Sequence, residues 1–181
     1  KEPQAKVTLD QGKLKLFRAE MENDLEKIKK LKPFKGHLSF KMLDDGLHID
    51  LRELQNQPMF NRGGSHFEKR AKPILAWLSA KLNKTHQKVM IVGHTDSSTK
   101  NKYAPYSNWE LSSDRANSAR RALVKYGMRT NKVIRVQGAA DTKLLNKLTP
   151  TSPINRRIEI IILTDEAAKK LMREEKFDDK H

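Results

Sequence analysis

An aspartate and an arginine near the middle of the chain are the residues whose types and spacing could do chemistry. Asp96 ends the run Val92-Gly93-His94-Thr95-Asp96, directly after a short apolar segment. Arg115 falls at the centre of the apolar face of a predicted helix when residues are placed at 100° each. A buried guanidinium without a partner is too costly to keep. Arg115 must therefore be paired, bind an anionic group, or bury only its stem and extend to solvent.

Asp96 is the natural partner of Arg115 in such a fold. The strand before Asp96 and the helix that carries Arg115 are consecutive elements, so the strand's carboxyl end and the helix's amino end meet at one sheet edge. The amino end of a helix also favours a carboxylate. A ligand with an ammonium beside a carboxylate would suit both groups. Asp96 would bind the ammonium, and Arg115 would bind the carboxylate as a two-pronged pair.

Metal binding and catalysis find less support in the sequence. His94 and Asp96 face the same side of a strand, but no third ligand is visible at a metal-binding spacing. We therefore expect a packed or hydrogen-bonded histidine and no metal. Ser107, Ser112 and Ser113 are typical of helix caps or surface positions and have no adjacent base. The chain has no cysteine, which excludes thiol catalysis and thiolate metal sites. We expect a protein that is not an enzyme and needs no cofactor.

Two arginines open the last predicted strand, at Asn155-Arg156-Arg157. Successive side chains of a strand point to opposite faces of the sheet. We expect one arginine to face the edge that holds Asp96 and the other to face solvent. The sequence does not decide between them.

The chain is strongly basic, with 37 Lys and Arg against 22 Asp and Glu among 181 residues and a net charge of +15. This balance favours an anionic partner such as nucleic acid, lipid or an acidic polymer, or else a lysine-rich solvated surface. Aromatic residues make up only 6% of the chain, which leaves a basic nucleic-acid-binding module as the weaker alternative. No run approaches the roughly 18 apolar residues of a membrane span, and the start at Lys1 suggests a fragment of a longer protein.

Apolar periodicity predicts four helices and five strands. Helical spacing occurs at 14–31, from about Ala71 to Leu82, from Ser107 to about Tyr126, and from Asp165 onward. Alternating or continuous apolar runs predict strands at 38–42, 47–51, 88–93, 132–137 and 156–163. Ser107 and Glu110 match a capping box, and the Asp-Gly pair before residue 47 predicts a hairpin turn.

This order of elements predicts an α+β fold, an α/β two-layer sandwich. Alternating β-α-β units favour parallel neighbouring strands, whereas the hairpin is antiparallel. The result is a mixed sheet with a βαβαβ core and helices packed on one face, preceded by an N-terminal linker helix. The apolar stripe of that first helix must pack on its own domain or on the same helix of a second copy.

Three motifs in this order resemble the peptidoglycan-binding domain of the OmpA-like family. They are Gly93-His94-Thr95-Asp96, then Asn108-x-x-Leu111-Ser112-x-x-Arg115-Ala116, then Asn155-Arg156-Arg157. The resemblance covers roughly residues 38 to 164. The segments Asn56-Gln57-Pro58-Met59-Phe60 and 107–117 resemble the MotB-like branch, the stator subunits of the flagellar motor.

The resemblance implies a ligand and a set of contacts. The ligand is the meso-diaminopimelate of the peptidoglycan stem peptide, which carries an ammonium and a carboxylate on one carbon. Asp96 and Arg115 would be its principal contacts. The other ligand-binding residues that the resemblance implies are Thr95, Asn108, Leu111, Phe60, Asn61, Arg156 and Arg157.

The resemblance also implies an architecture and partners. Residues 1–36 would be a linker segment, residues 37–164 the OmpA-like domain, and residues 165–181 a C-terminal helix with a charged tail. The chain would be the periplasmic domain of a homodimeric protein anchored in the inner membrane of a Gram-negative bacterium. Its partners would be peptidoglycan and a MotA-like channel subunit, and not nucleic acid. The alternative is a general OmpA-like cell-wall anchor of an outer-membrane protein or lipoprotein.

Overall fold

The structure of the protein, a computed structural model, describes residues 9–98 and 105–174. Its helices and strands follow the predicted order. The helices are α1 (Leu9–Lys27), α2 (Lys72–Lys84), α3 (Asn108–Lys125) and α4 (Asp165–Glu174). The strands are β1 (Leu38–Leu43), β2 (Gly46–Arg52), β3 (Val89–His94), β4 (Val133–Gly138) and β5 (Arg157–Leu163).

The five strands form one mixed sheet in the order β1-β2-β5-β3-β4. β1 and β2 are the predicted antiparallel hairpin, and β3 and β4 are parallel, as expected for strands joined by a helix. β5 lies between β2 and β3 and is antiparallel to both. Its first residue, Arg157, pairs with Arg52 at the end of β2 and with His94 at the end of β3. The start of β5 therefore meets the carboxyl ends of two other strands.

Helices α1, α2 and α3 pack on one face of the sheet, as predicted, whereas α4 packs on the other face. The side chains of β5 alternate, and Ile158, Ile160 and Ile162 face these helices. Each such buried side chain contributes about 1.5–3 kcal/mol. The stripe of α1 packs on its own domain through Leu14, Phe17, Met21 and Leu25.

The first helix ends sooner than predicted. α1 ends at Lys27, Ile28 is extended, and a 3-10 helix follows over Lys29–His37. Pro33 has no N–H, and its ring would clash with a carbonyl one turn earlier in an α-helix. Leu31 is nevertheless fully buried. It packs in the same core as the apolar stripe of α1, although it lies in the 3-10 helix.

The opposite face of the sheet carries α4, whose Ala168 packs with Val92, Ile161 and Leu163. None of the described helices is long and apolar enough to cross a membrane. Residues 1–8 of the predicted linker and 175–181 of the predicted tail lie outside the described residues. The division into linker, domain and tail stays a prediction. Within the described residues, α1 of the predicted linker packs into the same core as the domain.

Candidate ligand-binding site

One pocket of about 550 Å³ lies at the edge of the sheet where β3 ends. The segments that follow β2 and β3, the first turns of α3 and the residue before β5 surround it. Most of the residues predicted to bind a ligand line this pocket, namely Phe60, Asn61, Thr95, Asp96, Asn108, Leu111, Arg115 and Arg156.

Helix α3 lies unusually close to β3 beside this pocket. A Cβ on Gly93 would stand 2.0 Å from the backbone oxygen of Ser112, so the approach requires glycine. Ser112 is itself fully buried, and its hydroxyl accepts a hydrogen bond from the N–H of Ala140 at 3.0 Å. The absence of a side chain at one strand position thus determines how near the helix stands to the site.

The start of α3 is fixed by the predicted capping box. The hydroxyl of Ser107 accepts from the N–H of Trp109 at 3.2 Å, and the carboxylate of Glu110 accepts from the N–H of Ser107 at 2.6 Å. These bonds satisfy backbone donors that a helix start leaves free. The first turn, which carries Asn108 and Leu111, is therefore held in place next to the pocket.

Asp96 is buried, and both of its carboxylate oxygens accept hydrogen bonds. Oδ1 accepts from the backbone N–H of Ser98 at 2.8 Å and from the hydroxyl of the same residue. Oδ2 accepts from Nη1 of Arg156 at 2.6 Å. Nδ2 of Asn108 donates to the backbone carbonyl of Asp96 at 3.2 Å, which ties the start of α3 to the end of β3.

Arg156 joins Asp96 to a second buried acid, Glu53. Its Nε donates to Oε2 of Glu53 at 2.5 Å. Burial opposes the charged form of Arg156, but hydrogen bonds to Glu53 and Asp96 outweigh it and raise the pKa of the guanidinium. Oε1 of Glu53 also accepts from the N–H groups of Met59 and Phe60, each at 3.2 Å. The two acids and the guanidinium between them form one connected chain of charges.

Arg115 is buried beside this chain, with 5% of its surface exposed, and so does not extend to solvent. Its Nε donates to the carbonyl of Gly64 at 3.0 Å, and its guanidinium carbon lies 4.9 Å from the ring centroid of Phe60. Burial lowers the pKa of Arg115, and the charge of Arg156 adds to this, while the two acids oppose it. No ion pair shorter than 4 Å links it to another described residue.

Two polar atoms of residues that line the pocket are buried without a partner among the described residues. They are Nη1 of Arg115 and Oγ1 of Thr95. Buried polar groups in proteins usually have at least one hydrogen bond. Arg115 therefore retains an unpaired donor, and Thr95 an unpaired hydroxyl, in residues that line the pocket.

Arg157 lies on the other face of the sheet and does not line the pocket. Its Nε donates to Oδ1 of Asp50 at 3.2 Å, and its Nη2 donates to the carbonyl of Lys143 at 3.0 Å. The expectation that the second arginine faces solvent is wrong, because the connection between β4 and β5 covers it and leaves 6% of its surface exposed. Arg156 is the arginine that faces the pocket.

Asn155, which precedes these arginines, shapes the connection before β5. It is fully buried, and its Nδ2 donates to the carbonyls of Asn146, Thr149 and Pro150 at 3.0–3.2 Å. Its Oδ1 accepts from the N–H of Asn146 at 2.8 Å. This asparagine holds the backbone from which Arg156 enters the pocket.

Glu53 lines the pocket but was missed in the sequence. Leu47, Ile49 and Leu51 face the core, and Glu53 occupies the next position in the same alternation. A charge in a core-facing position is the signal that singled out Arg115, and it was present here too. The remaining lining residues carry no such pattern, since they lie in connections; they are Pro58, Arg62, Gly63 and Ser98.

His94 belongs to a buried network on the face opposite the pocket. Its Nε2 lies 2.8 Å from Oε2 of Glu159, whose other oxygen lies 2.5 Å from Nδ1 of His48. Nε2 of His48 in turn lies 2.7 Å from Oδ1 of Asp45. Burial opposes ionisation of Glu159, but the bonds to both histidines prevail and lower its pKa. This arrangement agrees with the expectation of a hydrogen-bonded histidine.

Comparison with protein families identifies the region that contains the pocket. A model of the OmpA family matches residues 59–157, which include most of the residues that line it. Motility protein B of Escherichia coli K12 is 35% identical over 173 residues, which cover 93% of this chain and 55% of that protein. The chain thus spans about half the length of this relative.

Solved structures with the same fold include a motility protein and a component of a secretion system. The periplasmic domain of Helicobacter pylori MotB superposes with a TM-score of 0.60 at 18% identity, over 78% of this chain and 93% of that one. The cell-wall anchor of the type VI secretion system of Pseudomonas aeruginosa superposes with a TM-score of 0.61 at 20% identity, over 84% and 97%. At these identities the similarity shows the fold alone.

Proposed function

The chain belongs to the OmpA family, and on that basis we propose that it is a non-catalytic module that binds peptidoglycan. The observation that carries the proposal is the pocket itself. It brings two acids, Glu53 and Asp96, together with two guanidiniums, Arg115 and Arg156, at the edge of the sheet. A ligand that carries both charges on one carbon matches such a site, and the meso-diaminopimelate of the stem peptide is such a ligand.

The contacts of the pocket indicate how that ligand is held. The ligand carboxylate pairs with Arg115, whose Nη1 has no partner among the described residues. The ligand ammonium binds Oδ2 of Asp96, which accepts one bond from Arg156 and has a second lone pair, whereas Oδ1 already accepts two bonds from Ser98. The ring of Phe60, 4.9 Å from the guanidinium carbon of Arg115, adds a cation–π contact that helps to position this side chain.

The charge arrangement provides selectivity as well as affinity. Two unit charges about 4 Å apart interact by roughly 4 kcal/mol at an effective dielectric of about 20, before desolvation is counted. A ligand without the carboxylate leaves the buried guanidinium of Arg115 without a counterpart, and a ligand without the ammonium brings an uncompensated negative charge next to Asp96 and Glu53. The pocket should therefore reject peptides that present only an amine or only a carboxylate.

The similarity to motility protein B supports a specific setting for this binding. We propose that the chain is the periplasmic part of a flagellar stator subunit of a Gram-negative bacterium. In that setting it acts as a homodimer that fixes the stator to the wall, and a segment beyond this chain binds a MotA-like channel subunit in the inner membrane. A wall anchor of another envelope protein is the second candidate, since a secretion-system cell-wall anchor has the same fold.

Co-sedimentation with purified sacculi tests the binding. The wild type should sediment with sacculi, while Asp96→Asn and Arg115→Ala should stay in the supernatant. Asp44→Asn and Arg173→Ala are matched controls, since both positions are exposed and lie outside the pocket. Sedimentation of folded Asp96→Asn and Arg115→Ala at wild-type levels would reject the site. Salt-dependent DNA binding without sacculus binding would instead favour a nucleic-acid-binding module.

A chimera tests the stator setting. The chain replaces the corresponding part of Escherichia coli motility protein B, and swimming is measured in cells that lack the native protein. A stator anchor restores swimming, and the same chimera with Asp96→Asn does not. A chimera that binds sacculi and leaves cells non-motile would favour the second candidate.

A further inference from the structure

We propose that a second pocket binds a further carboxylate of the same wall polymer. This inference rests on the proposed binding of peptidoglycan. The second pocket, called the basic pocket below, has a volume of about 310 Å³ and lies between α2, α3 and the segment 66–69. It shares no lining residue with the first pocket.

A wall formed by two bridged segments, 60–61 and 66–67, separates the two pockets. Phe60 and Phe67 are bridge partners, and their ring centroids lie 4.2 Å apart. Asn61 and His66 exchange two hydrogen bonds, of 2.9 and 3.1 Å. Asn61 lines the first pocket and His66 the basic pocket. Since paired strands lie about 5 Å apart, a ligand that extends past this wall reaches the second site.

Helix α3 contributes lining residues to both pockets. Arg115 lines the first pocket, and Ser118, about one turn later, lines the basic pocket. One helical turn advances about 5.4 Å. The sites are therefore neighbours along α3 as well as across the wall, which suits a polymer with closely spaced peptides.

The charges of the basic pocket select an anion. Its lining contains His66, Lys69, Arg121 and Lys125 against one acid, Glu68. Nη2 of Arg121 donates to the buried hydroxyl of Ser118 at 2.9 Å, which directs the guanidinium while leaving other donors free. No acid lies within ion-pair distance of Arg121 or Lys125 among the described residues.

The apolar part of the lining favours a peptide carboxylate over a small inorganic anion. Phe67, Leu75 and Tyr126 also line the pocket. Aliphatic peptide atoms can pack against these side chains while the carboxylate meets Arg121 and Lys125. The occupant that fits both features is the carboxylate end of a second stem peptide, joined to the first by a cross-link.

A paired titration tests this inference. Wild type, the double variant Arg121→Ala/Lys125→Ala and the control Lys13→Ala/Lys15→Ala are titrated with a monomeric diaminopimelate muropeptide and with its cross-linked dimer. The control removes the same charge from exposed positions of α1. We expect all three proteins to bind the monomer equally. The double variant should bind the dimer about tenfold more weakly than the wild type and the control do, because it loses the second contact.

Three results would overturn the inference. The first is wild-type affinity of the double variant for the dimer. The second is an equal loss in both variants, which would indicate unspecific attraction between charges. The third is binding of anionic lipid vesicles through Arg121 and Lys125 without an effect on the dimer. Failure of the wild type to bind the monomer would instead contradict the proposed function, so the two failures are distinguishable.

Discussion

Nη1 of Arg156 lies 2.6 Å from Oδ2 of Asp96. The acid best placed to bind a ligand ammonium is thus already neutralised by a guanidinium from the start of β5. Arg156 is shared, since its Nε bonds Glu53 at 2.5 Å. A ligand ammonium at Asp96 would weaken the hold of Asp96 on Arg156, while Glu53 would keep the guanidinium beside the pocket.

Replacing Glu53 should weaken both the fold and the binding. Glu53→Gln removes the charge that holds Arg156 and should cost roughly 2 kcal/mol of unfolding free energy, since hydrogen bonds to charged groups contribute about 1.5–3 kcal/mol. Arg156 would then rest on Asp96 alone and compete with the ligand ammonium. Urea unfolding and calorimetric titration measure the two effects. In the control Glu26→Gln, an exposed ion pair with Lys35 is lost, and stability should change by less than about 0.5 kcal/mol.

Arg115 should not tolerate lysine. The ammonium of Arg115→Lys cannot donate to the carbonyl of Gly64 and also grip a carboxylate with two parallel bonds, as a guanidinium can. We expect at least tenfold weaker binding of a diaminopimelate tripeptide, about 1.4 kcal/mol. Isothermal titration calorimetry measures it, with the exposed Arg173→Lys as control. Wild-type affinity in Arg115→Lys would contradict the two-pronged contact.

The close approach of β3 and α3 should make Gly93 irreplaceable. The Cβ of Gly93→Ala would collide with the backbone of α3, which cannot rotate away as a flexible side chain could. We expect a loss of about 3 kcal/mol in unfolding free energy. Gly12→Ala, with nothing within 4 Å of its Cβ and a helical position, should instead gain about 0.5–1 kcal/mol. Unchanged stability of Gly93→Ala would show that α3 can shift.

Stability should fall as the pH rises through the pKa of His48. Burial opposes the charged form, but hydrogen bonds to Glu159 and Asp45 outweigh it and raise the pKa above 6.5. A group with a raised pKa in the folded state stabilises the fold fully below its unfolded pKa and loses that contribution above its folded pKa. Asp50 and Arg157, which form an ion pair, lie on the same face of the sheet.

Urea unfolding at a series of pH values between 6 and 9 measures this effect. His48→Gln should lose less stability than the wild type between pH 6 and 8, because the titrating group is gone; above pH 8 burial of Lys132, which lowers its pKa to about 8, acts in the opposite direction in both proteins. His66→Gln, at an exposed position, serves as the control and should follow the wild type. Parallel curves for wild type and His48→Gln would contradict the assignment.

The individual strands and helices and most of the pocket residues could be predicted because local patterns determine them. Alternation along β1 and β2, the capping box at Ser107 and an arginine on the apolar stripe of α3 are all readable within a few residues. Asp96 was predictable because it directly follows a buried strand. A residue directly after β3 lies at the same sheet edge as the amino end of α3, the next helix in the chain.

Long-range pairing could not be predicted in the same way. Nothing near Arg156 in the chain shows that β5 inserts between β2 and β3, yet this insertion brings Arg156 to both Glu53 and Asp96. The sequence pointed to Arg115 as the partner of Asp96, whereas the partner in the structure is Arg156. Burial of Arg157 likewise depends on a connection that folds over the opposite face.

Titration of the chain with two stem peptides tests the central claim most directly. One peptide carries meso-diaminopimelate, and the other carries lysine, which lacks one carboxylate and is otherwise alike. The wild type should bind the diaminopimelate peptide at least tenfold more tightly, a preference of about 1.4 kcal/mol or more. Arg115→Ala should bind both peptides weakly and without preference. In a double-mutant cycle, this result assigns the preference to the contact between Arg115 and the extra carboxylate. Equal affinity of the wild type for the two peptides would contradict the account.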